Sequence, residues 1–94
     1  MRRATLMFVF LIFSQAEPAS GEMKLDQKLP SPALGKDLVY NIYLPDGGRS
    51  QSRLPVMYLL HGLGGSRHEW RQHGRLADTL DRLIATGALA PLIA

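Results

Sequence analysis

The chain has 94 residues, enough for one small domain or part of a larger one. Its 11 Lys and Arg face 8 Asp and Glu, for a net charge of +3, and there is no Cys, which excludes a disulfide framework and a lipoprotein attachment site. Arg2 and Arg3 supply two of the basic residues and the remaining Arg are interspersed with acids, so there is no basic stripe and nucleic acid is not an expected partner.

In chain order, Arg2 and Arg3 form a basic start, and Ala4 to Phe13 (ATLMFVFLIF) an apolar run. Small residues follow at signal-peptidase spacing in Ser14-Gln15-Ala16 and again in Ala19-Ser20-Gly21. This is the layout of a secretory signal peptide, read here over residues 1–21, with a secreted or periplasmic product. A membrane span needs about 20 apolar residues, so no stable membrane anchor is expected. Residues 22–33, with their Pro, Ser and Lys, read as an exposed leader into a domain over 34–94. Leu34-Gly35-Lys36 is a turn. Asp37 to Leu44 (DLVYNIYL) then alternates, with Leu38, Tyr40, Ile42 and Leu44 on one face and Val39, Asn41 and Tyr43 on the other.

Pro45-Asp46-Gly47-Gly48 ends that strand, and Arg49 to Arg53 is a polar loop. Pro55 to Leu60 is a short apolar run closed by turn residues, the pattern of a buried strand. Its simplest pairing is antiparallel with 37–44 across the intervening loop. His61-Gly62-Leu63-Gly64-Gly65 is a glycine-rich turn, in which glycine lets the backbone bend tightly and a ligand approach main-chain N–H groups. Ser66 and Glu69 have capping-box spacing. Arg75 to Thr86 is a helix, with Leu76, Leu80, Leu83 and Ile84 on its core face and Asp78, Asp81 and Arg82 towards the other. Gly87 follows it as a C′ residue, and Leu92-Ile93-Ala94 opens another apolar run. The order is an antiparallel strand pair and then one βαβ unit, in the α/β class.

Four phrases in order resemble the "Putative esterase" family of α/β-hydrolases, which includes esterase D, feruloyl esterases and mycolyltransferases. They are Tyr43-Leu44-Pro45; Pro55-Val56-Met57-Tyr58-Leu59-Leu60-His61-Gly62; Glu69-Trp70; and Ile84-Ala85-Thr86-Gly87 with Pro91. The resemblance implies the N-terminal part of an α/β-hydrolase domain. It further implies attack on a small-molecule ester or thioester by a Ser nucleophile, through an acyl-enzyme and with no cofactor. One oxyanion-hole N–H maps to Leu63, in the oxyanion loop His61, Gly62, Leu63, Gly64 and Gly65. Gly-x-Ser-x-Gly occurs nowhere in the sequence, and the family's nucleophile, acid and base all follow the region matched. The chain is therefore expected to be catalytically incomplete as given. The alternative is a secreted non-catalytic remnant or binding module that retains the first βαβ unit.

Single residues are weighed in the same way. His61 is expected to brace the loop by a hydrogen bond rather than act as a base, because triad His residues follow the nucleophile in this fold. The spacing of His61, His68 and His73 matches no common zinc pattern, so no metal is expected. Ser66 reads as a helix cap. Trp70 reads as packing on the glycine loop and is the candidate for substrate contact.

Overall fold

The computed structural model describes residues 21–47, 49 and 53–94, together with 5, 7 and 9. The signal-peptide reading therefore lies almost wholly outside the described residues, as does most of the polar loop 49–53. Two strands open the fold, β1 (Glu22–Ser31) and β2 (Lys36–Leu44). They form an antiparallel hairpin in register from Glu22↔Leu44 to Ser31↔Lys36. Its turn contains Gly35 at φ +64°, and the Leu34 N–H donates to the Ser31 carbonyl at 3.2 Å. The turn at 34–36 is as expected.

Two expectations are corrected here. Residues 22–31 are strand rather than leader, and β2 pairs with them rather than with 55–60. The cause is tertiary: β1 is mostly exposed and gains its extended form from the ladder to β2, not from an apolar face of its own. The ladder is interrupted between Lys24 and Gln27, where Leu25 and Asp26 oppose Asn41 alone. Asp26 sits there at φ +53°, as the left-handed residue of a β-bulge.

The other edge of β2 takes up the end of the chain. Tyr43 and Ala94 exchange both backbone hydrogen bonds, at 2.6 and 3.2 Å. Ile93 in turn makes a parallel bridge to Val56, with Met57 N–H on the Ile93 carbonyl at 2.8 Å and Ile93 N–H on the Pro55 carbonyl at 2.9 Å. The segment at 92–94 thus lies between β2 and the run at 53–60. The strand expected at Pro55–Leu60 is reduced to this bridge, because its partner reaches only Pro55 to Met57. Its burial still alternates: Met57 and Leu59 are half-buried, while Val56, Tyr58 and Leu60 are exposed.

Two helices, α1 (Glu69–Gln72) and α2 (Leu76–Ala85), connect the bridged segments. In α2, Leu80 is buried and Leu76, Leu83 and Ile84 are half-buried, as their spacing requires. Gly87, at φ +76°, closes its C-terminus, with its N–H on the Ile84 carbonyl and the Leu89 N–H on the Leu83 carbonyl. Asp81 departs from expectation by turning inward. Its Oδ1 accepts from the Tyr43 hydroxyl at 2.6 Å and from the Gly21 N–H at 2.8 Å. Tyr43 is fully buried, and a Cβ on Gly21 would overlap its ring. The inward face of β2 is therefore the one carrying Val39, Asn41 and Tyr43. Burial, the hydrogen bond to Asp81 and the charge of Asp81 together push the Tyr43 phenol well above its ordinary range.

Candidate functional site

The glycine turn stands where the run at 53–60 meets the helices. The Gly65 N–H donates to the Gly62 carbonyl at 3.0 Å, closing a four-residue turn. Gly64 occupies its third position at φ +77°, in the left-handed region that this kind of turn needs. His61 Nδ1 lies 2.8 Å from the same Gly62 oxygen. A carbonyl oxygen only accepts, so Nδ1 carries the ring proton and donates it there. The Gly62 oxygen thus takes two donors.

That arrangement has a geometric result. The Gly62 carbonyl and the Leu63 N–H belong to one planar trans peptide and point in opposite directions. Two bonds holding the carbonyl on one side aim the Leu63 N–H to the other. Among the described residues that N–H meets no acceptor. Leu63 is fully exposed, so nothing in the described fold covers the turn at this position. The bracing role expected for His61 agrees with this geometry.

Two anchors flank the turn. On its N-terminal side the Trp70 indole N–H donates to the Leu60 carbonyl at 3.1 Å, tying α1 to the last residue before His61. The Trp70 ring lies against Gly74, where a Cβ would come within 3.2 Å of it. Trp70 is thereby held beside the residue that precedes the loop, and at 43% exposure it keeps an open face.

On the C-terminal side the expected capping box, with Ser66 as the cap, does not form. Ser66 Oγ accepts from the His68 N–H at 3.2 Å, and the Ser66 carbonyl accepts from the Glu69 N–H at 3.1 Å. His68 itself is the N-cap of α1, without a side-chain cap. The Glu69 side chain lies instead close to Gly65, where a Cβ would meet it at 3.0 Å.

The second anchor was not foreseen from sequence. Arg67 donates to Asp26 Oδ1 from Nε at 2.8 Å and from its terminal nitrogen at 2.7 Å. Asn41 Oδ1 accepts from the Asp26 N–H at 3.0 Å, which fixes the orientation of the Asn41 amide. Its Nδ2 then donates to the Arg67 carbonyl at 3.0 Å and to His68 Nδ1 at 3.2 Å. The His68 ring proton is thereby placed on Nε2, 3.7 Å from Asp26 Oδ1. The hydrogen bond from Arg67, with the positive charges of Arg67 and Arg71, outweighs desolvation and holds the Asp26 carboxyl below its usual range. The one sequence signal for this site is Asn41, a polar residue within the otherwise uncharged, largely apolar stretch from Leu38 to Leu44.

His61, His68 and His73 do not gather, and no three His, Asp or Glu side chains come together as metal ligands among the described residues. No helix among them is long and apolar enough to cross a membrane.

Comparison with known proteins places the chain in a family. The model of the "Putative esterase" family matches residues 31–94, and the chain belongs to that family. It is 40% identical over 68 residues to an endo-1,4-beta-xylanase/feruloyl esterase of Xylanibacter ruminicola, covering 67% of this chain and 9% of that protein. Its fold is similar to a solved ferulic acid esterase at a TM-score of 0.72 and 28% identity, over 80% of this chain and 28% of the other. The chain thus spans less than a third of the length of either relative.

Proposed function

We propose that this chain is the N-terminal portion of an exported serine carboxylic-ester hydrolase of the α/β-hydrolase fold. In this reading Leu63 supplies one main-chain donor of the oxyanion hole. The observation that carries it is the outward Leu63 N–H, aimed by the doubly bonded Gly62 carbonyl and free of any acceptor among the described residues. The family match and the two esterase relatives support it. Export rests on Arg2, Arg3 and the apolar run that follows.

The chemistry needs a serine, a histidine and an acid from sequence beyond Ala94. Serine oxygen bonds to the ester carbonyl carbon while histidine takes its proton, and the carbonyl oxygen becomes an oxyanion. The Leu63 N–H and the N–H after the nucleophile hold that charge, each worth about 3 kcal/mol in the transition state. Collapse expels the alcohol, protonated by the histidine, and leaves the acyl-enzyme. Water then repeats the sequence and releases the acid.

The test is to read the coding DNA past codon 94 and to assay both products. The 94-residue chain should not turn over p-nitrophenyl acetate above a heat-treated control. A continued reading frame with Gly-x-Ser-x-Gly, an acid and a His should hydrolyse it. The names of the relatives make methyl ferulate the next substrate to try. In that longer protein Leu63→Pro should lower kcat on the order of a hundredfold, while Leu63→Ala, which keeps the N–H, should cost far less. Equal small effects from both would remove Leu63 from the oxyanion hole. Turnover by the short chain, lost on Ser66→Ala, would overturn the assignment of the nucleophile. A stop codon directly after Ala94 would favour the non-catalytic remnant.

A further inference from the structure

The glycine turn is strung between two fixed points, and the C-terminal one is a bulge in a hairpin remote in sequence. We infer that Asp26 and Asn41 are positioning residues for the oxyanion turn, acting through Arg67 and His68. This inference rests on the esterase reading above.

The bulge is built for the contact. An ordinary β residue at position 26 would keep the ladder to Asn41 and leave that side chain's amide without the Asp26 N–H. At φ +53° Asp26 instead turns its N–H onto Asn41 Oδ1 and its carboxylate onto Arg67. Aspartate is one of the few non-glycine residues that tolerate this backbone region. The Asn41 amide is thereby left with both remaining contacts directed at the two residues after Ser66, the Arg67 carbonyl and His68 Nδ1. Arg67 is held at its side chain and at its carbonyl, so both its position and its peptide orientation are set by the hairpin.

Only Ser66 separates Arg67 from the turn Gly62–Gly65. Three of the four turn residues, Gly62, Gly64 and Gly65, have no side chain with which to anchor it. Its placement is therefore inherited from its ends: Leu60 through Trp70, and Arg67 through the bulge. An ion pair this exposed adds little to stability. Its geometric effect is of another size, since small displacements of a catalytic donor cost far more in rate than in folding.

The experiment uses the longer polypeptide with its catalytic serine, with kcat normalised to serines titrated by a fluorophosphonate burst. Asp26→Gly removes the carboxylate and keeps the left-handed backbone. It should lower kcat on the order of tenfold, with KM and melting temperature close to wild type. Asp26→Asn, which keeps both an acceptor and the backbone preference, should recover most of the loss. In a Leu63→Pro background Asp26→Gly should have no further effect, because the two then act through one group. Arg67→Met, which leaves the bulge untouched, should repeat the kcat loss and keeps the idea testable if Asp26→Gly does not fold. Wild-type kcat per titrated serine in both variants would overturn the positioning role alone. So would additivity with Leu63→Pro. A wild-type enzyme that titrates no serine and turns over no ester would overturn the esterase reading and this inference with it.

Discussion

Charge placed on the exposed face of the run at 53–60 should have opposite consequences in the short and the long polypeptide. Tyr58 and Leu60 are 86% and 84% exposed, and they share a face with Val56. A run this apolar is the signature of a strand covered on both sides. Each such side chain contributes about 1.5–3 kcal/mol on full burial, so covering both is worth about 3–5 kcal/mol, a large part of the stability of a small domain. On residues 21–94 alone the face is open. Tyr58→Lys with Leu60→Lys should there cost within about 0.5 kcal/mol per site and remove an adhesive patch. Sedimentation velocity should show the parent fragment self-associating and the doubly substituted one shifted towards monomer. In the longer polypeptide the same pair should lose the burial energy and add two buried ammonium groups, abolishing soluble, ester-hydrolysing protein. A monomeric parent fragment indifferent to the substitutions would refute the adhesive face. An active, equally stable long protein carrying both lysines would refute its cover.

Two further predictions concern export and the Tyr43–Asp81 pair. Mass spectrometry of exported material should find an N-terminus at Glu17 or Glu22, and recovery of an intact Met1 form in the cytosol would contradict export. In the longer polypeptide Tyr43→Phe should lower stability by about 1.5–3 kcal/mol, the value of a hydrogen bond to a charged acceptor. Because the folded phenol titrates above its unfolded value of about 10, its contribution is full below that pH and is lost as pH rises towards the folded value. Wild type should therefore lose stability above about pH 10 more steeply than Tyr43→Phe, and parallel alkaline limbs in urea melts would contradict the pairing with Asp81.

How far the sequence could be read depended on where the determining contact lay. Helix α2 was legible because Leu76, Leu80, Leu83 and Ile84 lie within three turns of one another, and Gly87 marks its end locally. The glycine turn was legible for the same reason: Gly62, Gly64 and Gly65 state their own conformational needs. The hairpin was only half legible. β2 shows alternation, but β1 contains Asp26, Lys28 and Pro30 and is extended only because β2 holds it. Without a visible β1, alternation alone assigns β2 the wrong neighbour. Asp81 was misplaced because helical spacing assigns it to the polar side, and only the Tyr43 hydroxyl explains its inward turn. The bulge at Asp26 could not be read at all, since its partner Arg67 is 41 residues away.

The insertion of 92–94 between β2 and the run at 53–60 also imposes an order of events during synthesis. The β1–β2 hairpin is local and can close in about 1–10 μs. Val56 must wait for Ile93, which at about 5–20 residues per second follows it from the ribosome by a few seconds. Throughout that interval the hairpin offers one open edge, the side of β2 that Ala94 will occupy. The opposite edge, on β1, is guarded by Pro30, by the bulge and by Lys24 and Lys28, devices that discourage pairing with other chains. The nascent chain is thus protected along the edge that stays free and unprotected along the one its own later residues are due to fill.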